Sequence, residues 1–223
     1  MHMKLFEDPD ERIGFIKKVY GLLSAELLFT VLFVMLPVFS EGTRNFMRTQ
    51  WWLYIVMGCV LLITMLVLFC SRKIARTVPD NYIVLSIFTG SFAYCVAAIT
   101  AFCDPYTVLA AMVVTAAVVL TLTVYAFTTK RDFTYGSGLL MMICLSLIMS
   151  VFLIFVWRQP ASYSIYLVLI IMLYGLFLIH DTQLIMGGRR YRLEIDEYVF
   201  ASVLLYTDII YMFLKILELM SRR

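Results

Sequence analysis

The chain has 223 residues, of which 63% are hydrophobic and 15% charged. Soluble domains run at about 45–50% apolar and about 25% charged, so the composition excludes one large soluble core and indicates a polytopic membrane protein. The net charge of +3 at pH 7 is mild and gives no case for a nucleic-acid partner.

A helical span needs about 20 mainly apolar residues. Seven runs qualify: 19–39, 51–70, 82–103, 106–127, 138–157, 163–186 and 198–214. Residues 1–18 are expected to form a polar cytosolic tail of mixed charge (Lys4, Glu7, Asp8, Asp10, Glu11, Arg12). No cleavable leader is visible, so the first span should serve as its own anchor. Asp104-Pro105 reads as a tight turn between the antiparallel third and fourth spans. The links are short, which predicts a single transmembrane domain over 19–217 and a short tail over 218–223. The runs are continuous and not alternating, against a barrel.

Lys and Arg distribute 12 to 6 across the two sides of a seven-span chain, with the larger share on the N-terminal side. The N-terminus is therefore expected in the cytosol. Ala93, Ala97 and Ala101 in the third span, and Ala110, Ala111, Ala116 and Ala117 in the fourth, predict close helix packing. Trp51, Trp52, Trp157 and Tyr163 read as interfacial anchors. The five cysteines are odd in number and lack metal-site spacing. They read as small buried hydrophobes, with Cys70 a weak palmitoylation candidate.

Two aspartates interrupt the last two spans. A charge at the bilayer centre costs about 2.5–3.5 kcal/mol on insertion scales, and so marks a functional site by default. Asp208 should lie about 16 Å into the last span and Asp181 about 8 Å from the cytosolic surface, on antiparallel neighbours. Carboxylates that approach each other in a low dielectric cannot both ionise freely, which makes a proton sensor. When ionised, they are hard oxygen ligands suited to transient Ca²⁺ binding. The bland alternative is that each satisfies local donors: Tyr211 and Lys215 for Asp208, the cytosolic arginines for Asp181. Glu26, buried in the first span, reads either as a pore acid or as a snorkelling or paired residue. His180 adjoins Asp181 but leaves the helix about 100° away. It reads first as a satisfied interfacial polar group, and second as a source of pH sensitivity.

The stretch His180-Asp181-Thr182-Gln183-Leu184-Ile185-Met186-Gly187, then Glu197-Tyr198-Val199-Phe200-Ala201, then Leu205-Tyr206-Thr207-Asp208-Ile209-Ile210-Tyr211 resembles the C-terminal signature of the transmembrane Bax-inhibitor-motif family, lifeguard branch. Phe15-Ile16-Lys17-Lys18-Val19-Tyr20-Gly21-Leu22-Leu23, Val78-Pro79-Asp80-Asn81 and Tyr125-Ala126-Phe127-Thr128-Thr129-Lys130-Arg131-Asp132-Phe133-Thr134 are similar to its earlier segments. The resemblance runs over about 12–217.

It implies an all-α, seven-helix bundle with the last helix central, and a pH-sensitive Ca²⁺ leak through endomembranes that suppresses apoptosis. It places the sensor pair on Asp181 and Asp208 and a basic latch on Arg72. The endoplasmic reticulum or Golgi is the implied location, with the plasma membrane as a further one. Apoptosis regulators and Ca²⁺-release channels are the implied partners. Ca²⁺ is the permeant ion, and no cofactor is implied. The chain departs from the pattern at Glu26, where glutamine is usual, at Lys215, and at Ile195-Asp196-Glu197, where a proline-acidic turn is usual.

Two other readings compete. An intramembrane aspartyl protease would resemble its class in a Gly-x-Gly-Asp segment, which Leu205-Tyr206-Thr207-Asp208 is not, and His2 and His180 are too few for a metal hydrolase. The chain therefore reads as no enzyme. A non-conducting membrane protein that binds apoptotic or Ca²⁺-handling partners is the alternative function.

Overall fold

With no water in the bilayer core, a spanning backbone must satisfy its own polar groups, so long apolar runs become helices. A computed structural model describes residues 9–129, 160–187 and 194–221. The described helices are α1 (Pro9–Phe39), α2 (Glu41–Thr49), α3 (Trp51–Cys70), α4 (Arg72–Arg76), α5 (Asp80–Thr100), α6 (Pro105–Thr128), α7 (Pro160–Met186) and α8 (Tyr198–Met220). A 3₁₀ turn over Ile195–Glu197 leads into α8. Among these residues six helices are long and apolar enough to cross a membrane, where the sequence predicts seven. The expected fifth span, 138–157, and Trp157 lie outside the described residues.

Several boundaries move. The first helix begins at Pro9, ahead of the apolar run, because Asp10 and Glu11 suit a helix N-terminus. Phe15 on it is buried, so part of the expected tail is packed structure. The last helix continues to Met220. Its 23 residues make a rod of about 34 Å, enough to cross a core of about 30 Å.

The chain divides into two compact units, residues 1–108 with 194–206 and residues 109–193 with 207–223. In the first, α5 packs against α1 and α3. Ala93, Ala97 and Ala101 are fully buried there, as their spacing predicts. The start of α8 adds Tyr206, whose ring meets Phe92 and Phe88 edge-on at 5.6 and 6.0 Å. Two arginines tie the end remote from α4. Arg44 donates to the carbonyls of Pro37 and Val38 at 2.9 and 3.0 Å. Arg48 Nε donates to Ala101 O at 2.7 Å. These are helix C-terminal carbonyls that otherwise lack partners. The Asp104-Pro105 turn forms as expected: Asp104 Oδ2 accepts from Thr107 N–H at 3.1 Å, an N-cap bond, and Pro105 takes the first helical position.

In the second unit Gly175 of α7 lies so close to α6 that an added Cβ would stand 3.1 Å from Leu122 Cδ1. Small residues allow this approach. The alanines of α6 do not all serve packing. Ala111 is buried, but Ala110, Ala116 and Ala117 are exposed, which corrects the expectation of a buried fourth span. Without a hydrophobic driving force between helices, alanine sits as comfortably against lipid as against protein. Trp51 and Trp52 are exposed at the start of α3, consistent with interfacial anchors. Tyr163 is instead held by a hydrogen bond from its hydroxyl to Glu218.

Candidate functional site

Gly187, at φ 91°, ends α7 in the left-handed conformation that favours glycine. The next described residues, Glu194 to Glu197, form a capping box in which each side chain accepts the other's backbone N–H. These signals set where α7 ends and α8 begins, and hence how Asp181 and Asp208 meet.

The two aspartates come together in the second unit. The Asp181 carboxyl lies within hydrogen-bonding range of Asp208. The side chains therefore meet across the α7–α8 pair, although sequence position alone sets them about 8 Å apart in depth. Asp208 is only 9% exposed, and its Oδ2 accepts no hydrogen bond from a donor among the described residues. An ionised carboxylate only accepts hydrogen bonds. A bond between two carboxyls therefore exists only when one of them holds a proton. Tyr174 and Tyr211 stack beside the pair with ring centroids 5.5 Å apart.

His180 has a local polar partner, but one that helical geometry alone would point it away from. Its Nδ1 lies 2.8 Å from Asp181 Oδ1. Consecutive Cβ atoms diverge by about 100° around a helix, but the ring and the short carboxylate bend toward one another above the surface. Asp181 is thus a bridge between His180 and Asp208. Lys215 is not a partner of Asp208; it pairs with Glu218 at 2.9 Å, one turn along.

Glu26 is 4% exposed and lies in the first unit, with Thr89 and Ser202 as polar neighbours. The Arg72 side chain lies outside the described residues. Arg76, four residues on, is the cation whose contacts are defined. Its Nη1 lies 2.8 Å from Glu194 Oε2 and its Nη2 2.6 Å from Glu197 Oε1. Chiefly the Glu197 bond, against desolvation by burial, raises the Arg76 pKa above its ordinary value. Sequence reasoning counted Arg76 only for orientation and Glu197 only as a motif. The available signal was a basic link and an acidic turn assigned to one membrane face.

Residues 12–223 match the family described as inhibitor of apoptosis-promoting Bax1 (Bax1-I). The chain belongs to this family. It is 32% identical over 223 residues to Protein lifeguard 3 of Homo sapiens, covering 98% of this chain and 71% of the relative. It is 35% identical over 214 residues to Protein lifeguard 4 of Mus musculus, covering 94% and 85%. The Bax inhibitor family consists of multi-pass membrane proteins that are not enzymes, in keeping with the sequence reading.

Proposed function

We propose that this protein is a pH-sensitive Ca²⁺ leak of endomembranes that lowers store Ca²⁺ and thereby restrains apoptosis. The observation that carries the reading is the Asp181–Asp208 contact on two spanning helices. Protonated, the pair is a hydrogen bond that holds α7 to α8. Ionised, it is two repelling charges and a transient set of oxygen ligands for Ca²⁺. Membership of a family described as inhibitors of apoptosis-promoting Bax1 supports the cellular half of the proposal. Arg72 stays the candidate latch on the pair, and the N-terminus is read as cytosolic.

A seven-span fold accompanies this reading, with the last helix as its central strut. Arg76 pairs with Glu194 and Glu197, so the link before α5 and the turn before α8 share one membrane face. Between them α5, α6 and α7 are each long and apolar enough to cross a membrane, and we read them as three crossings. A return to the same face needs an even number, and the apolar run 138–157 is read as the fourth. The deep burial of α5 and α8, the most buried of the six spans, fits a central last helix.

The test is Ca²⁺ entry into dye-loaded liposomes that hold the purified protein, from about pH 6 to about pH 8. Wild type should leak in a pH-dependent way, and Asp208→Asn and Asp181→Asn should each flatten the profile. Wild-type pH dependence retained in Asp208→Asn would sink the assignment. Folded protein with no leak at any pH would favour a non-conducting interaction role.

A further inference from the structure

The first unit contains a second intramembrane acid whose surroundings can be accounted for donor by donor. Glu26 sits on α1, 96% buried by difference from its 4% exposure. Its Oε1 accepts from Thr89 Oγ1 at a long 3.4 Å. Its Oε2 has no partner among the described residues. The nearest of the other hydroxyls, Thr30 and Tyr206, have already committed their protons. Thr30 Oγ1 donates to the Glu26 backbone carbonyl at 2.9 Å. Since Thr30 has only one proton, Tyr206 OH must be the donor in their 2.7 Å contact. Ser202 Oγ donates to Val199 O at 2.9 Å. What Thr30 and Tyr206 have left to offer is lone pairs, and Ser202 divides its one proton between Val199 O and Glu26.

An ionised Glu26 would then have only the long Thr89 bond and a shared Ser202 proton as donors, with Oε2 unpartnered among the described residues and the side chain 4% exposed. Burying an ion on those terms is far costlier than burying a neutral acid. A protonated Glu26 reverses the match, because its O–H is the missing donor. Tyr206 is the titratable group that faces it from α8, and Cys95 on α5 lies near Tyr206. Among the described residues no Lys, Arg or His pairs with Glu26. The same accounting explains why this acid is neither snorkelled nor paired with a base.

We propose that Glu26 is a proton-binding site of its own, loaded and unloaded independently of the Asp181–Asp208 pair, with the proton bridging α1 to the hydroxyl-lined face of α5 and α8. Losing that proton leaves an unpaired charge between α1 and its neighbours, so the packing of the first unit is what the site controls. The inference does not rest on Ca²⁺ conduction.

The test uses the full chain in phosphatidylcholine vesicles with Asp181→Asn and Asp208→Asn combined, so that the aspartate pair cannot contribute. Dicyclohexylcarbodiimide adds to protonated carboxyls in apolar surroundings, and mass mapping locates the adduct. Infrared spectroscopy reads the C=O stretch of a carboxylic acid directly, without reagent access. The expected result is a carboxylic-acid band near neutral pH, lost when Glu26→Gln is added, and a Glu26 adduct that declines as pH rises. Glu26→Gln should keep the wild-type melting temperature within a few degrees, because an amide supplies both a donor and an acceptor at the same place. Either of two results overturns the proposal. One is a carboxylate band at Glu26 throughout the range. The other is an adduct that Na⁺ or Ca²⁺ suppresses at constant pH, which would make the site a cation site.

Discussion

Removing the Arg76 guanidinium tests how the start of the last helix is held. Arg76 bridges Glu194 and Glu197 at 2.8 and 2.6 Å, and all three side chains are 16–20% exposed. The Glu197 carboxylate is shared: Oε1 takes Arg76, and Oε2 takes the Glu194 backbone N–H at 3.0 Å. A fully exposed pair is worth about 0–1 kcal/mol, and stripping a buried pair of one partner costs about 3–5 kcal/mol. This clasp lies between those limits, with two charge-assisted bonds in good geometry, so Arg76→Met should destabilise by about 2–3 kcal/mol. Chemical denaturation in detergent, followed by loss of helicity, measures it. A double-mutant cycle with Glu197→Gln should return a coupling above about 1 kcal/mol, since the two residues act as one unit. The pH sign follows from the guanidinium. A folded-state pKa raised above the ordinary value gives stability that is fully present below that value and lost only as pH rises through the folded one. From the arginine side the clasp is therefore indifferent to pH between 6 and 8, and added salt should weaken it. Destabilisation below about 0.5 kcal/mol with no coupling would show that the clasp is a surface ion pair and would refute the reasoning.

Ala97→Leu, at a fully buried position of α5, should cost about 1–3 kcal/mol by overpacking. Ala116→Leu, at an exposed position of α6, should stay within about 0.5 kcal/mol; the same denaturation series separates them, and equal effects would contradict the packing described. Tyr206→Phe removes the donor to Thr30 and should cost about 1 kcal/mol. The ring contacts with Phe88 and Phe92 remain in that variant, so a loss several times larger would mean the hydroxyl has a further role. His180→Ala should shift the midpoint of the pH-dependent leak without abolishing it, because it removes a partner of Asp181 and leaves the carboxyl pair intact. An unchanged midpoint in the liposome assay would detach His180 from the sensor.

Hydrophobic run length settles membrane class and most helix positions before any coordinates, because a bilayer leaves an apolar segment of about 20 residues few alternatives to a helix. Depth within a run likewise marks Asp181, Asp208 and Glu26, since charge is costly there wherever the helix points. The motifs around 180–187 and 197–211 carry the family, which the comparisons establish. Partner choice is another matter, for it depends on contacts between residues far apart in the chain. Arg76 meeting Glu194 and Glu197, Tyr206 meeting Thr30, and Glu26 meeting Thr89 are separated by between 63 and 176 positions. No periodicity encodes such pairs. Even His180 and Asp181, adjacent in sequence, contradict the expectation from helical geometry, because rotamers and not Cβ directions place their polar atoms. Alanine content predicts burial on α5, where Ala93, Ala97 and Ala101 repeat every four residues, and mispredicts it on α6, where adjacent alanines point to different sides of the helix. The sequence by itself determined that acids stand inside a membrane. Tertiary packing alone decided which of them stand side by side and which stands by itself among hydroxyls.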